Sequence, residues 1–265
     1  MCGIFGIFNH EDAATITALG LHSLQHRGQE ACGIATHDKK NFYLEKKLGL
    51  VGDNFTKKDV IDKLPGNHAI GHNRYPTAGD TVLRNVQPFF ADLASGAVSV
   101  AHNGNLTNGL SIRKKLVEKG SIFQSTSDTE TIIQLIATSK RTNFVDKLIE
   151  ALFQIQGGFS LAVMTNKKLI GVRDPYGIRP LVLGDLDGSP ILTSETCSLD
   201  IIGAKFVREI ENGEIIVISE DGIKTIKPFP KVKCRLDIFE YIYFSRPDSF
   251  IGGKNIYQCR RNFGK

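Results

Sequence analysis

The sequence predicts a mixed fold of the α+β class, and three features of its pattern predict it. Near the amino terminus, apolar runs typical of buried strands flank a segment with helical spacing. The middle third is helical in its periodicity, and the later part is again strand-like, with frequent turn signals. With 265 residues, 41% of them apolar, the chain is long enough to bury a large core.

The first elements follow from short apolar runs. Residues 2–8 and 31–36 predict two buried strands. Between them, the apolar spacing from Ala14 to Leu24 predicts a helix that ends near Gly28. This helix would connect the two strands.

The next elements are two strands and then three helices. Strands are predicted at 68–73 and 97–102, and helices near 109–119, 128–139 and 143–155. The second of these helices is preceded by Ser127-Asp-Thr-Glu130, a capping-box sequence, and the third is expected to end at Gly157-Gly158. From residue 159 to 227, strands alternate with turn signals at Asp174-Pro175, Asp187-Gly188, Asn212-Gly213 and Asp221-Gly222.

Composition excludes several classes of function. The net charge of +5 is modest, and the short basic runs are typical of solvated faces and not of a nucleic-acid interface. No run of about 18 apolar residues predicts a membrane span, and the apolar start has no basic flank typical of a secretory signal. Five scattered cysteines without a C-x-x-C pair predict reduced thiols, no zinc site and a cytoplasmic location.

The second residue is the strongest indication of chemistry. Once Met1 is removed, Cys2 carries a thiol and a free α-amine on one carbon, so that a nucleophile and a base share one residue. An amine of pKa ~8 is well matched to accept the proton of a thiol of pKa ~8.5. The alternative interpretation is a small buried cysteine on a strand. Gly3 and Gly6 leave room near the thiol, which favours the catalytic interpretation.

Two polar clusters follow apolar elements in the first half. Residues 25–30 are dense in hydrogen-bonding side chains, although an exposed helix end has the same appearance. In residues 71–79, Arg74 leaves a strand and offers a planar fork that can bind a carboxylate. A solvated arginine is the alternative.

Two more clusters lie in the next stretch. In residues 101–106, the Asn103 amide and the Gly104 backbone N–H are candidates for an oxyanion hole, although Asn-Gly is also a common hairpin turn. Asp128 is a candidate for binding an ammonium group. The alternative is an acidic residue that only stabilises the first turn of a helix. Taken together, a thiol, an oxyanion hole, an arginine and an aspartate describe a site for an amino acid with a side-chain carbonyl. Glutamine fits that description.

The motifs resemble those of one family over nearly the whole chain. They are Cys2-Gly-Ile-Phe-Gly6, Leu24-Gln-His-Arg-Gly-Gln-Glu30, Gly71-His-Asn-Arg-Tyr75, His102-Asn-Gly-Asn-Leu-Thr-Asn108, Thr126-Ser-Asp-Thr-Glu130, Arg173-Asp-Pro-Tyr-Gly-Ile-Arg-Pro180 and Phe239-Glu-Tyr-Ile-Tyr-Phe-Ser-Arg-Pro-Asp-Ser249. The chain resembles the amidophosphoribosyltransferases, also called glutamine phosphoribosylpyrophosphate amidotransferases, of the class II (N-terminal-nucleophile) glutamine amidotransferases. The last motif separates it from the glucosamine-phosphate synthase and asparagine synthetase relatives.

The resemblance implies a four-layer αββα sandwich and a role for each matching residue. Cys2 attacks the glutamine carboxamide, forms a glutamyl thioester and releases ammonia, with its own α-amine as the base. The remaining roles are implied for Arg74 (substrate carboxylate), Asp128 (substrate ammonium), Asn103 and Gly104 (oxyanion), Arg27 (a loop over the nucleophile), and Tyr75 and Thr77 (pocket lining).

The resemblance also implies a second domain, only the start of which is expected here. We expect a glutaminase domain over 2–230 and the truncated start of a phosphoribosyltransferase domain over 231–265, in a shortened chain or a split enzyme. The resemblance implies that the complete enzyme is a homo-oligomer in which ammonia converts phosphoribosyl pyrophosphate, bound with Mg²⁺, to 5-phosphoribosylamine in the first step of purine biosynthesis. The glycine- and threonine-rich phosphate loop of that domain does not occur in this sequence.

For cofactors, the expectation is none in this chain. Some family members carry an iron–sulfur cluster, but Asp237 stands where a cysteine ligand is expected, with Cys234 three residues earlier. Because no residue precedes Met1, no propeptide is expected. Two other functions stay open: a separate glutaminase subunit that feeds a synthase, and a non-catalytic glutamine-binding regulatory module. Membrane and nucleic-acid binding have no support in the charge pattern.

Overall fold

In the computed structural model, which describes residues 1–75 and 82–265, strand β1 (Gly3–Phe8) is buried on both faces. Side chains alternate along a strand, so Ile4 and Phe8 point to one apolar cluster while Phe5 and Ile7 point to another. A continuous apolar run is the pattern expected of a strand between two such layers. β1 therefore lies inside the molecule.

The described strands after β1 range in length from two residues to eleven. They are β2 (Ala31–His37), β3 (Phe42–Leu48), β4 (His68–Arg74), β5 (Phe89–Leu93), β6 (Gly96–Leu106), β7 (Gly157–Thr165), β8 (Leu169–Arg173), β9 (Val182–Leu186), β10 (Ser189–Thr193), β11 (Lys205–Glu209), β12 (Ile215–Ser219), β13 (Gly222–Ile226), β14 (Phe250–Ile251) and β15 (Lys254–Asn255). The α-helices are α1 (Ala13–Ser23), α2 (Val51–Asn54), α3 (Lys58–Ile61), α4 (Gly109–Glu118), α5 (Asp128–Thr138), α6 (Phe144–Leu152), α7 (Cys197–Ile201) and α8 (Ile256–Phe263).

Two antiparallel sheets lie face to face. The first has the strand order β11-β9-β10-β1-β4-β2-β3, and the second has the order β13-β12-β8-β7-β6-β5. Between them lies an apolar cluster that includes Ile4, Ile70, Ala162 and Leu192. A hydrogen bond of 3.1 Å between His72 Nε2 and the carbonyl oxygen of His102 connects β4 to β6 across this interface.

Helices cover the outer face of each sheet. Leu21 of α1 and Leu199 of α7 pack with Phe5 and Ile34 on the first sheet. Helices α4, α5 and α6 cover the second sheet, where Ile132 and Leu148 belong to the cluster that the strands line. The result is the four-layer αββα sandwich of the N-terminal-nucleophile fold, so the predicted fold class is confirmed.

Two details of the predicted helices differ from the structure. Ser127 is the N-cap of α5 and its hydroxyl accepts from Thr129 N, but the Glu130 carboxylate accepts from the amides of Gln124 and Ser125 instead of closing a reciprocal box. Helix α6 ends at Leu152, earlier than predicted, and the glycine pair that was expected to stop it begins β7.

The residues after β13 return to the first sheet. A single turn of π-helix, Glu240–Phe244, and the short hairpin β14–β15 precede α8. We call residues 240–249 the return segment. The backbone amide of Arg246 and the hydroxyl of Ser249 in this segment donate hydrogen bonds to Glu195, just after β10. The predicted domain boundary between residues 230 and 231 stays a prediction.

No helix in the described part of the chain is long and apolar enough to cross a membrane.

Candidate active site

Cys2 lies immediately before β1 at the edge where β4 ends. Its side chain is 8% exposed, and its thiol is 3.6 Å from the backbone carbonyl oxygen of Tyr75. Gly3 pairs with Asn73 on β4, which fixes the register of the two strands next to the thiol. Burial raises the pKa of the Cys2 thiol, while the positive charges of the chain terminus and Arg74 act in the opposite direction. The thiol therefore needs a base or a charged substrate to become nucleophilic.

Met1 precedes Cys2 in the structure and is itself buried. Burial lowers the pKa of its α-amine from 8.0 to about 6, with a further contribution from Arg27 and Arg179. An amine in such surroundings is neutral at pH 7 and can accept a proton. Removal of Met1, which would give this role to the amine of Cys2, stays a prediction.

Arg74 and Tyr75 lie at the end of β4. Arg74 is buried, and its Nη1 donates a hydrogen bond of 3.1 Å to the carbonyl of Asn85. The Tyr75 ring is 52% exposed, while its carbonyl faces the Cys2 thiol. Thr77 lies outside the described residues.

Asn103 and Gly104 lie inside β6 and not in a hairpin turn, so that alternative is wrong. They pair with Ser160 and Phe159 of β7. Asn103 is completely buried, and neither its amide nitrogen nor its amide oxygen has a hydrogen-bond partner among residues 1–75 and 82–265. A buried amide without a partner costs free energy, so this donor is available to a ligand.

The backbone at Gly104 has no room for a side chain. A Cβ atom at this position would lie 2.2 Å from the carbonyl oxygen of Gly158 and 2.6 Å from Nε2 of His102. Only glycine allows β6 and β7 to pair here.

Asp128 begins α5 and is 19% exposed at its side chain. Its Oδ2 accepts a hydrogen bond of 2.9 Å from the backbone amide of Leu106, at the end of β6. Its Oδ1 is 3.8 Å from Nδ1 of His102, whose pKa burial lowers, so the imidazole is neutral. The Asp128 side chain is thus partly open to solvent beside a buried, neutral imidazole.

Arg27 lies in a 3₁₀ turn, Gln25–Arg27, and its expected place over the nucleophile stays a prediction. Its guanidinium is completely buried between the carboxylates of Glu195 and Glu240, with hydrogen bonds of 2.5–3.0 Å to them. Its Nε donates a hydrogen bond of 3.0 Å to the carbonyl oxygen of Cys2. Burial alone would lower the pKa of this guanidinium, but the two carboxylates raise it above its usual value.

Glu195 and Glu240 are the site residues that sequence reasoning missed. Glu195 is a single acidic residue shortly after the apolar pair Ile191-Leu192, and Glu240 lies inside an aromatic motif. An acidic residue in an apolar segment indicates a buried ion pair. The sequence does not show that Arg27 is the partner of these two acids. Both side chains are completely buried.

For metal ions and cofactors, the described ranges contain no group of three or more His, Cys, Asp or Glu side chains that could hold a metal. Asp237, at the position compared with a cluster ligand, accepts a hydrogen bond of 2.8 Å from Arg179. The expectation about cofactors stays a prediction.

Comparison with known proteins gives concordant matches. A family model described as a glutamine amidotransferase domain matches residues 72–200. The chain is 55% identical to the amidophosphoribosyltransferase of Rhizobium etli over 271 residues, and 47% identical to that of Staphylococcus aureus (strain COL) over 267 residues. These alignments cover 99% and 100% of this chain and 54% of each relative.

A solved structure agrees with these sequence matches. The glutamine phosphoribosylpyrophosphate amidotransferase from B. subtilis, in complex with ADP and GMP, superposes with a TM-score of 0.94 at 40% identity, covering 99% of this chain and 57% of that one. The chain spans about half the length of the curated relatives it matches. It therefore belongs to the class II glutamine amidotransferases and corresponds to the glutaminase half of the amidophosphoribosyltransferases.

Proposed function

We propose that this chain hydrolyses glutamine to glutamate and ammonia through a thioester on Cys2. The observation that carries the proposal is a buried thiol 3.6 Å from the Tyr75 carbonyl, at the end of β4 where Arg74 supplies a cation, with the partly exposed carboxylate of Asp128 within electrostatic reach. Glutamine presents a carboxylate and an ammonium group at one end and an attackable carboxamide at the other. The two charges fit the first end, and the thiol fits the second.

The reaction follows from these groups once Met1 is removed. The α-amine of Cys2 accepts the thiol proton, and the thiolate attacks the carboxamide carbon. The Asn103 side-chain N–H and the Gly104 backbone N–H stabilise the negative oxygen of the tetrahedral intermediate. The C–N bond then breaks, and the amine returns its proton to the departing ammonia. Water attacks the thioester in the same way and releases glutamate.

Substrate binding is assigned to three groups. Arg74 binds the α-carboxylate and Asp128 the α-ammonium, while Tyr75 lines the pocket. The partial exposure of Asp128 supports the assignment, as does the backbone hydrogen bond to its Oδ2, which fixes the position of the carboxylate. Arg27 acts indirectly, through the Cys2 carbonyl.

The activity of the complete protein is a broader proposal. The names of the relatives support a role in which the ammonia converts phosphoribosyl pyrophosphate to 5-phosphoribosylamine for purine biosynthesis. That step needs residues beyond the matched half, and we assign to them the Mg²⁺-bound substrate and a homo-oligomeric, cytoplasmic assembly. We assign no cofactor to residues 1–265.

The first experiment is the intact mass of the purified chain before and after treatment with an electrophilic glutamine analogue. We expect loss of Met1 and one adduct, which peptide mapping places on Cys2. The Cys2→Ser variant is the control and should remain unlabelled. Retained Met1, or labelling spread over Cys32, Cys197, Cys234 and Cys259, would contradict the proposed function.

A second measurement tests the role of the acceptor. Glutaminase turnover is measured with and without added phosphoribosyl pyrophosphate. We expect equal rates, because no acceptor site is assigned to this chain. Strong stimulation would show that such a site exists within residues 1–265.

A further inference from the structure

A single buried carboxylate joins the start of the chain to the return segment. Glu195 Oε1 accepts hydrogen bonds from His26 Nε2 at 2.8 Å and from Arg27 Nη1 at 2.5 Å. Its Oε2 accepts from the backbone amide of Arg246 at 2.9 Å and from Ser249 Oγ at 2.6 Å. Oε1 therefore binds donors near the start of the chain, and Oε2 binds donors of the return segment.

Arg27 extends this connection to the nucleophile. Its Nε donates to the Cys2 carbonyl, while its Nη1 and Nη2 donate to Glu240, at the start of the return segment. The guanidinium thus has three partners, and two of them are carboxylates in the same buried cluster. Arg179 lies 3.5 Å from Glu240, so two cations and two anions share the cluster.

The charges of this cluster hold each other in place. Burial alone would raise the pKa of Glu195, but Arg27 and the surrounding donors lower it to about 2, so the carboxylate is ionised throughout the physiological range. Removing one partner from a buried, paired charge is strongly destabilising, because the other charge remains uncompensated. Arg27 therefore keeps its position only while both carboxylates are in place.

We propose that Glu195 is a positioning residue for Cys2. Glu195 fixes Arg27, Arg27 fixes the Cys2 carbonyl, and this arrangement depends on docking of the return segment. The inference rests on the proposed function for its kinetic consequences. It assigns a regulatory connection to that site: undocking of residues 240–249 loosens the strand that carries the nucleophile.

A carboxylate is needed for this role because both of its oxygens accept. In a Glu195→Gln variant, one end of the side chain becomes an NH₂ donor. In one orientation of the amide, its NH₂ group faces the donors His26 and Arg27, and in the other it faces the Arg246 backbone N–H. Two donors cannot form a hydrogen bond with each other, so one contact is lost in either orientation. The Gln side chain keeps the shape of the Glu side chain but loses the hydrogen bonds either to His26 and Arg27 or to the return segment.

The test uses Glu195→Gln with Glu214→Gln as the matched control. Glu214 is equally buried and accepts two hydrogen bonds from Arg208, at 2.8 and 2.6 Å, but its partners do not include the Cys2 strand or the return segment. For each variant, kcat and KM for glutamine are measured. We expect kcat to fall about tenfold in Glu195→Gln, the factor for one hydrogen bond to a charged group, with KM changed less than about threefold.

A second readout does not depend on glutamine. Iodoacetamide labelling of Cys2 is measured by peptide mapping, relative to the exposed Cys234 of the same chain. Because the Cys2 thiol is buried, loosening of its strand should raise this ratio about tenfold in Glu195→Gln and leave it unchanged in Glu214→Gln. A merely structural effect on overall stability would move both variants alike.

Ser249→Ala tests the dependence on the return segment. We expect it to raise the labelling ratio about threefold alone, and to add nothing in the Glu195→Gln background, since both changes break the same connection. If Glu195→Gln does not fold, the labelling ratio of Ser249→Ala alone tests the proposed connection.

The outcomes separate the two proposals. An unchanged labelling ratio in both Glu195→Gln and Ser249→Ala, or equal changes in Glu214→Gln, would overturn the positioning role. Failure of the wild-type chain to react with the glutamine analogue would overturn the proposed function, while the iodoacetamide ratio would still decide on Glu195.

Discussion

Asn103 carries the sharpest prediction at the scale of single residues. Its buried amide has no partner in the described structure, so Asn103→Ala removes a donor that the fold itself does not use. We expect kcat for glutamine to fall by about 10²–10³ with little change in KM. Steady-state kinetics measure both, with Ser99→Ala, on the same strand and equally buried, as the control. A large rise in KM at unchanged kcat would contradict the oxyanion role.

Asp128 is expected to behave in the opposite way. Asp128→Asn keeps an acceptor for the amide of Leu106 but removes the negative charge. We expect KM for glutamine to rise about tenfold or more while kcat changes less, because the ammonium group is bound in both the ground state and the transition state. Calorimetric binding to a Cys2→Ser background measures the affinity directly. Equal affinities with Asp and Asn would exclude the assignment.

The candidate residues could be found from the sequence where the signal is local. Cys2 directly precedes β1, Arg74 ends β4 and Asp128 begins α5, and at such positions a polar side chain next to an apolar run is visible. The surroundings of Arg27 could not be found in this way. Its partners Glu195 and Glu240 are 168 and 213 residues away. The pairing of β1 with β10 brings Glu195 near, and the return segment brings Glu240.

At the scale of elements, the pairing of β6 with β7 depends on Gly104. Gly104→Ala places a methyl group 2.2 Å from the Gly158 carbonyl, so the strands must separate locally. We expect a loss of at least about 3 kcal/mol in the free energy of unfolding, measured by denaturant titration. The control Gly188→Ala meets nothing within 4 Å, and it should lose only about 1–2 kcal/mol from its positive φ. Equal losses would refute the steric argument.

The elements themselves were predicted well where the periodicity is strong. The three middle helices and the hairpin of β12 with β13 lie where the pattern predicts them. The errors concern glycine and capping signals. Gly157 serves strand pairing and not a helix end, and Glu130 pairs with amides before the N-cap, because tertiary contacts outweigh these local preferences.

At the scale of the whole molecule, buried histidines predict loss of stability in acid. Burial lowers the pKa of His68 to about 4 and that of His72 to about 3, from 6.5. Below pH 6.5 the unfolded chain binds protons that the folded chain does not, so the free energy of unfolding falls as pH falls. Each histidine contributes on the order of 3 kcal/mol to this loss by pH 4.

Thermal unfolding from pH 7 to pH 4 measures this dependence. His68→Asn keeps an acceptor for the amide of Asn9 and removes one titrating group, so its Tm should fall less steeply with pH than that of the wild type. Identical slopes for the two chains would contradict the assignment to His68.

The αββα architecture came from the family resemblance, since the residue pattern alone predicts only a mixed α and β fold. The reason is the strand order. β1 pairs with β4 and β10, which lie far along the chain, and periodicity carries no information about such partners.

The burial of Met1 has a consequence for the biosynthesis of the protein. Met1 lines a cavity of about 490 Å³ together with residues Tyr243 to Pro247 of the return segment, and it is only 8% exposed. An aminopeptidase needs a free, extended chain end, which this folded arrangement does not offer. The proposed removal of Met1 is therefore a matter of timing: we expect it to precede folding of the return segment onto the start of the chain.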